Sequence, residues 1–167
     1  LFLHLTINAL FKDTTSKGFQ MTQIANSAKI STVIDARGPR FGAAITTVVF
    51  AAALATHNAW FIVAQAIVFA IGAFKGPQYT PYAFIYKRLV KPLLKGEVPT
   101  EDVRPPQFAQ SVGLLFALVA IAGALFGIEA LVVGAVSMAL GAAFLNAAFN
   151  FCLGCEIYLL LLRARSK

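Results

Sequence analysis

Two long stretches of this 167-residue chain contain no Lys or Arg, residues 41–74 and residues 105–162. Charge is scarce throughout, at 13% of residues against 59% apolar, and mean hydropathy is +0.76. A soluble domain of this size cannot hide that much apolar surface, so an ordinary water-soluble globule is excluded and lipid must be part of the solvent. Cysteine is nearly absent. Only Cys152 and Cys155 occur, which excludes a disulfide-stapled secreted scaffold. There is no Gly-rich phosphate loop, no Gly-x-Ser-x-Gly elbow, no His-rich metal motif and no GxGxxG. Their absence removes the common nucleotide-binding, hydrolase and zinc-protease classes. The net charge of +7 invites a nucleic-acid reading, but no basic stripe is interleaved with stacking aromatics.

The fourteen basic residues all fall in segments 1–40, 75–104 and 163–167. Each uncharged stretch is long enough for two helical spans, with a polar break at Thr56-His57-Asn58 or at Gly127-Ile128-Glu129. The spans are predicted at Phe41–Thr56, Ala59–Phe74, Ala109–Phe126 and Glu129–Phe149. The first two cover only ~24 Å each at ~1.5 Å per residue, the short end for a bilayer core. The positive-inside rule puts both termini and the central loop in the cytoplasm, giving a multi-pass protein of the cytoplasmic (inner) membrane. Residues 81–95 carry Tyr, Phe and four basic residues and read as an amphipathic helix on anionic lipid, broken at Pro92. Residues 1–20 lack a basic n-region and a cleavage site; they read as an extension ahead of a native start at Met21, with an interfacial helix as the rival.

One motif occurs twice. Residues 35–41 read Asp-Ala-Arg-Gly-Pro-Arg-Phe and residues 102–108 read Asp-Val-Arg-Pro-Pro-Gln-Phe. Each copy opens one uncharged stretch. The predicted fold is therefore an all-α membrane protein: four transmembrane helices in two tandem two-helix repeats, plus interfacial amphipathic helices. The N-terminal segment is 1–34, the first repeat 35–96, the linker 97–101 and the second repeat 102–167. Both repeats enter from one side, so their pseudo-two-fold axis is expected along the membrane normal. Laid on one another, residues 78–89 fall on 152–163. Pro39 and Pro106 suit a first helical turn, and Asp35 and Asp102 are placed to cap it. Arg37 and Arg104 sit at the positive end of the helix dipole and call for a negative partner. Lipid phosphate, the nearby Asp, a cross-repeat exchange (Asp35 with Arg104, Asp102 with Arg37) and an anion site between the two helix N-termini all fit.

Cys152 and Cys155 have the minimal spacing of a thiol–disulfide couple, and Gly154 permits a tight turn. On the cytoplasmic side a structural disulfide is disfavoured. A redox dithiol, a metal half-site and a pair of small buried hydrophobes remain open. Glu156 opposes a thiolate, and Arg37 or Arg104 would offset it. His57 lies on the opposite face and His4 in the doubtful extension, so no metal site is assigned and no cofactor is expected. Gln65, Asn146 and Asn150 are polar groups within or at the end of spans. They suit interhelical hydrogen bonds or a polar path to the cysteines.

With the twin motif, Phe144-Leu145-Asn146-Ala147 and Phe151-Cys152-Leu153-Gly154-Cys155-Glu156, the chain resembles a family of bacterial, largely actinobacterial, membrane proteins grouped as domain of unknown function family 4395. The resemblance covers roughly Asp35 to Arg163, and the first copy departs from the second in having Gly42-Ala43 where the second has Ala109-Gln110. Members tend to be encoded near thioredoxin-like and rhodanese-like proteins, so the resemblance implies thiol or sulfur chemistry with such a partner. Three functions follow as expectations. One is thiol-redox or sulfur handling at the cytoplasmic membrane face through the cysteine pair. The others are a small anion transporter component and a non-catalytic scaffold or accessory subunit. Anionic lipid is the expected surface partner, nucleic acid is not expected, and a homo-oligomer stays open.

Overall fold

The computed structural model describes residues 33–165. The expectations for residues 1–20, Met21 and His4 lie outside these residues. The chain runs β1 (Val33–Asp35), α1 (Arg37–Thr56), α2 (Ala59–Phe74), α3 (Pro81–Ile85), β2 (Thr100–Asp102), α4 (Arg104–Leu125), α5 (Glu129–Phe149) and α6 (Leu153–Arg165). Beyond Ile85, α3 continues as a π turn over Tyr86–Val90 and a 3-10 turn over Lys91–Leu93. It stops where Pro92 removes a donor.

Helices α1, α4 and α5 are long and apolar enough to cross a membrane, and α2 is a shorter apolar helix of 16 residues. The turns between them follow from local chemistry. His57 ends α1 in the left-handed region at φ 50°, and the Asn58 side chain caps α2 by accepting the Trp60 N–H at 3.0 Å. Gly127, at φ 69°, makes the tight return from α4 to α5. At the other end the two motif copies meet. β1 and β2 pair antiparallel, with Ile34 opposite Glu101 and Asp35 opposite Thr100. Both hairpins therefore start at the same end of the bundle.

The four long helices form a closed ring: α1 packs on α2 and α5, and α4 packs on α5 and α2. The centre is built of small residues. Ala53, Ala66, Ala117, Ala120, Ala135 and Ala139 pack around Phe50, Ile62, Phe69 and Val136. Large apolar side chains face outward instead, including Val48, Ile67, Leu115, Leu118 and Phe144. Small inside and large outside inverts the soluble pattern. It suits helices packing by backbone approach within lipid, where Leu gains nothing from burial.

Helix α3 leaves the end of α2 and lies against α1, while α6 leaves the end of α5 and lies against α4. In the first pairing the Phe41 and Tyr86 rings stand 5.8 Å apart; in the second, the Phe108 and Tyr158 rings stand 5.6 Å apart.

Candidate functional site

The two motif copies do the same work at their helix starts. Asp35 Oδ1 accepts the Arg37 N–H at 3.0 Å, and Asp102 Oδ1 accepts the Arg104 N–H at 2.9 Å. Each carboxylate so satisfies one of the orphan donors of its own helix. The cross-repeat exchange does not form among the described residues. Arg37 instead donates through Nη2 to the Glu97 carbonyl at 2.8 Å. Asp35 is held by the Tyr86 hydroxyl at 3.0 Å and lies 3.9 Å from Lys91 Nζ. The reason is reach: each aspartate is already bound within its own helix start. Burial, then Asp35, raise the Tyr86 hydroxyl above its ordinary range, with Arg37 working against the shift. Burial and then Asp35 also raise the Glu101 carboxyl.

Sequence reasoning missed the residue between Pro and Phe in each motif. Arg40 Nε donates to the Ala147 carbonyl at 3.1 Å, in the last turn of α5. Its motif counterpart, Gln107, donates through Nε2 to the Ala73 carbonyl at 2.8 Å, in the last turn of α2. Each therefore closes an orphan carbonyl at the end of the other half's second helix.

The cysteine corner follows directly. Asn150 stops α5 in the left-handed region at φ 56°, and its N–H returns to the Asn146 carbonyl at 3.1 Å. Asn150 is thus a helix stop, and Asn146 contributes its carbonyl to that stop. Cys152 comes next. The Glu156 N–H reaches the Cys152 carbonyl at 3.0 Å, so Cys152 occupies the N-cap position of α6. Its Sγ accepts the Cys155 N–H at 3.3 Å. A disulfide joins Cys152 to Cys155, whose Cα atoms are 5.2 Å apart. The cysteines thus sit at the start of α6, after the end of α5. Glu156 is opposed by the positive end of that helix, a term that needs the helix boundary to be seen. Gly154 matters through close approach. A Cβ there would meet Ala109 Cβ at 2.7 Å and Ala109 Cα at 2.8 Å, so only glycine lets α6 seat on α4.

The start of α3 has the same construction without sulfur. Thr80 is the N-cap, its Oγ1 accepting the Ala83 N–H at 3.2 Å and donating to the Pro77 carbonyl at 2.8 Å. From this corner Tyr82 reaches inward. Its hydroxyl donates to Gln65 Oε1 at 2.8 Å, and Gln65 Nε2 donates to Thr46 Oγ1 at 2.9 Å. Gln65 is fully buried, and the chain of three side chains satisfies both ends of its amide. Of the polar residues read from the sequence, Gln65 is the one that makes an interhelical hydrogen bond. Burial raises the Tyr82 hydroxyl, keeping it a neutral donor.

Beside Cys152 lies a cavity of about 350 Å³ between α1, α4, α5 and α6. At the opposite end of the bundle His57 Nδ1 lies 3.8 Å from Glu129 Oε1, both side chains exposed, over a second hollow of about 310 Å³. Among the described residues no group of three or more His, Cys, Asp or Glu converges. The family model of a domain of unknown function, DUF4395, matches residues 34–163. No curated protein and no solved structure matches the chain.

Proposed function

The chain belongs to the DUF4395 family, and we propose that it is a duplicated four-span membrane protein whose Cys152–Cys155 disulfide exchanges electrons with a thioredoxin-like or rhodanese-like partner at the cytoplasmic face. The duplication is supported by reciprocal contacts. Arg40 and Gln107 cap each other's half, Asp35 and Asp102 cap their own helices, and Phe41 and Phe108 each meet a tyrosine of the following helix. The N-caps support an alignment of Cys152 with Thr80, in place of the Gln78 expected from the sequence.

That alignment carries the functional reading. Thr80 and Ala83 make this corner with one hydroxyl and no covalent link. The second half makes the same corner with two cysteines joined to each other. The turn itself does not need sulfur, so the sulfur serves something other than the turn. The N-terminus of α6 favours a thiolate at Cys152 once the bond is opened, as in other dithiols that begin a helix. Arg37, Lys91 and Arg104 lie at the ribbon end, where Arg37 reaches the Glu97 carbonyl, Lys91 approaches Asp35 and Arg104 begins α4 beside Asp102. By the positive-inside rule that end is cytoplasmic. A disulfide in that compartment is of the transient, catalytic kind rather than a staple.

The anion-transport alternative draws less support. The buried polar side chains of the bundle, Gln65 and Thr46, are uncharged and bonded to each other, and Phe50 and Ala120 beside them are apolar and fully buried. The test is trapping in cells with Cys155→Ser and Cys152→Ser expressed separately. One variant should accumulate a mixed disulfide with a cytoplasmic protein that collapses under reducing agent. If neither forms an adduct above the double variant, the reading is wrong.

A further inference from the structure

The cavity beside Cys152 is a consequence of asymmetry between the halves. Matching Arg40 with Gln107 and Ala73 with Ala147 pairs Thr46 with Gly113, Gln65 with Ala139 and Phe69 with Ala143. Matching Thr80 with Cys152 pairs Tyr82 with Gly154. In the first half, Tyr82, Gln65 and Thr46 form a hydrogen-bonded plug. In the second, Gly154, Ala139 and Gly113 stand in their places, and all three line the cavity, as does Ala143. Phe69 closes on Gly113 and Ala109 closes on Gly154, so the space is the bulk of Gln65 left out at Ala139. It opens where the second half carries its disulfide, and Cys152 is part of its wall.

What the wall offers narrows the occupant. Apart from Cys152, it is mostly apolar, with Phe69 and Phe116 giving flat faces. Two neutral polar side chains interrupt it. Gln110 Oε1 is buried against Gly72 of α2, with no hydrogen-bond partner among the described residues. Thr46 is 4% exposed and accepts from Gln65, leaving its hydroxyl proton to donate elsewhere. A hydroxyl donor in an apolar wall suits a ligand that presents a carbonyl oxygen on a flat ring. The disulfide requires a two-electron, two-proton counterpart. A lipid acyl chain satisfies the apolar wall but neither the Thr46 hydroxyl nor the sulfur.

We propose that this cavity binds the ring of a membrane quinone, and that the quinone is the electron acceptor for Cys152 and Cys155. The inference rests on the thiol-exchange reading above. A partner dithiol first opens the Cys152–Cys155 bond through a mixed disulfide and leaves oxidised, with the two cysteines reduced. The cysteines then lose two electrons and two protons. Two S–H bonds break, one S–S bond forms, and the quinone gains two O–H bonds to become the quinol. The sum is partner dithiol plus quinone giving partner disulfide plus quinol.

The experiment uses the full chain in lipid nanodiscs, reduced with dithiothreitol and freed of it, then mixed with decyl-ubiquinone. We expect one quinol per cysteine pair, with reoxidation at least tenfold faster than for an equal concentration of free dithiothreitol. Ala143→Phe restores bulk that the first half has at Phe69, and Met138→Trp narrows the cavity from a residue that is 63% exposed and tolerant of change. Each should slow quinone reduction at least tenfold while leaving reduction of the disulfide by dithiothreitol unchanged. A Cys152→Ser/Cys155→Ser chain should still gain thermal stability from decyl-ubiquinone, and more than from an equal concentration of decanoic acid. A folded chain whose disulfide resists dithiothreitol would sink the thiol-exchange reading beneath it. A reducible disulfide that quinone reoxidises no faster than free dithiothreitol would overturn the quinone alone. So would equal rates in wild type and Met138→Trp, or decanoic acid stabilising the chain as well as quinone does.

Discussion

The corners at Thr80 and at Cys152 have the same cap geometry and opposite interiors. Thr80 begins α3, and behind it Tyr82, Gln65 and Thr46 fill the space with a satisfied polar chain. Cys152 begins α6, and behind it Gly154 presses on Ala109 while a cavity remains. The first corner is filled by bonded side chains, and the second leaves space beside Cys152. Under the proposed function that difference has a reason, since functional sites carry the local departures from good packing.

The sharpest way to break the comparison is to make the second corner resemble the first. Cys152→Thr/Cys155→Ala recreates the Thr80 and Ala83 pair. Thiol exchange with a dithiol partner should fall to background. The helix start should survive, with a stability change within about 2 kcal/mol, the range of an N-cap replacement combined with loss of a short-loop link. Circular dichroism and thermal melts in detergent read the second outcome. Collapse of the fold would mean the disulfide is structural after all.

The plug is tested next. Gln65→Ala leaves the Tyr82 hydroxyl and Thr46 without their shared partner and opens a void, costing about 2–4 kcal/mol. Ala139→Gly, at the matching position, should cost about 1 kcal/mol, chiefly the helix penalty of glycine. Equal losses in detergent unfolding would erase the distinction between plugged and open halves.

The seating of the short helices gives a smaller contrast. Gly154→Ala drives a Cβ into Ala109, including its backbone, and should cost about 1–3 kcal/mol as α6 shifts. Gly42 stands at the position of Ala109 in the first half, and a Cβ there would meet Tyr82 only at 3.9 Å. Gly42→Ala should therefore be neutral or stabilising, within about 1 kcal/mol. The paired melts check both.

Helix existence was legible in the sequence because hydropathy and punctuation agree: α2 and α5 have the bounds that Asn58, Lys75, Glu129 and Asn150 imply. Helices α1 and α4 begin earlier than expected, at Arg37 and Arg104, because Asp35 and Asp102 bond N–H groups ahead of the prolines. The meeting of the two motif copies was legible from their repetition. Their charge pairing was not, since local caps outcompete longer reaches. The cap role of Cys152 was hidden by the stop at Asn150, which required a left-handed residue without glycine. The cavity was hidden more deeply. It depends on which residues of the two halves correspond, and the turns after α2 and α5 differ in length, so the register from the sequence placed Cys152 opposite Gln78.

The smallest effect lies in the ribbon that holds the halves together. Glu101 has its carboxyl raised by burial and by Asp35. A raised folded-state value means the protonated form is favoured in the fold. The contribution is therefore fully present below the ordinary glutamate range and lost as pH rises through the raised value. Glu101→Gln should stabilise the ribbon at neutral pH and flatten its acid dependence, read as hydrogen-exchange protection of residues 33–35 and 100–102. Unchanged protection across pH would remove Asp35 and burial as the cause.

The central claim is that Cys152 and Cys155 form a working redox couple rather than a staple. Alkylation of the reduced full chain in native membranes, followed from acid to alkaline pH, tests it most directly. The account predicts that Cys152, at the start of α6, reacts faster than a model cysteine at neutral pH and keeps reacting at pH values where the model thiol has stopped. A Cys152 that reacts no faster than the model thiol, or that stays shielded at every pH, would contradict it.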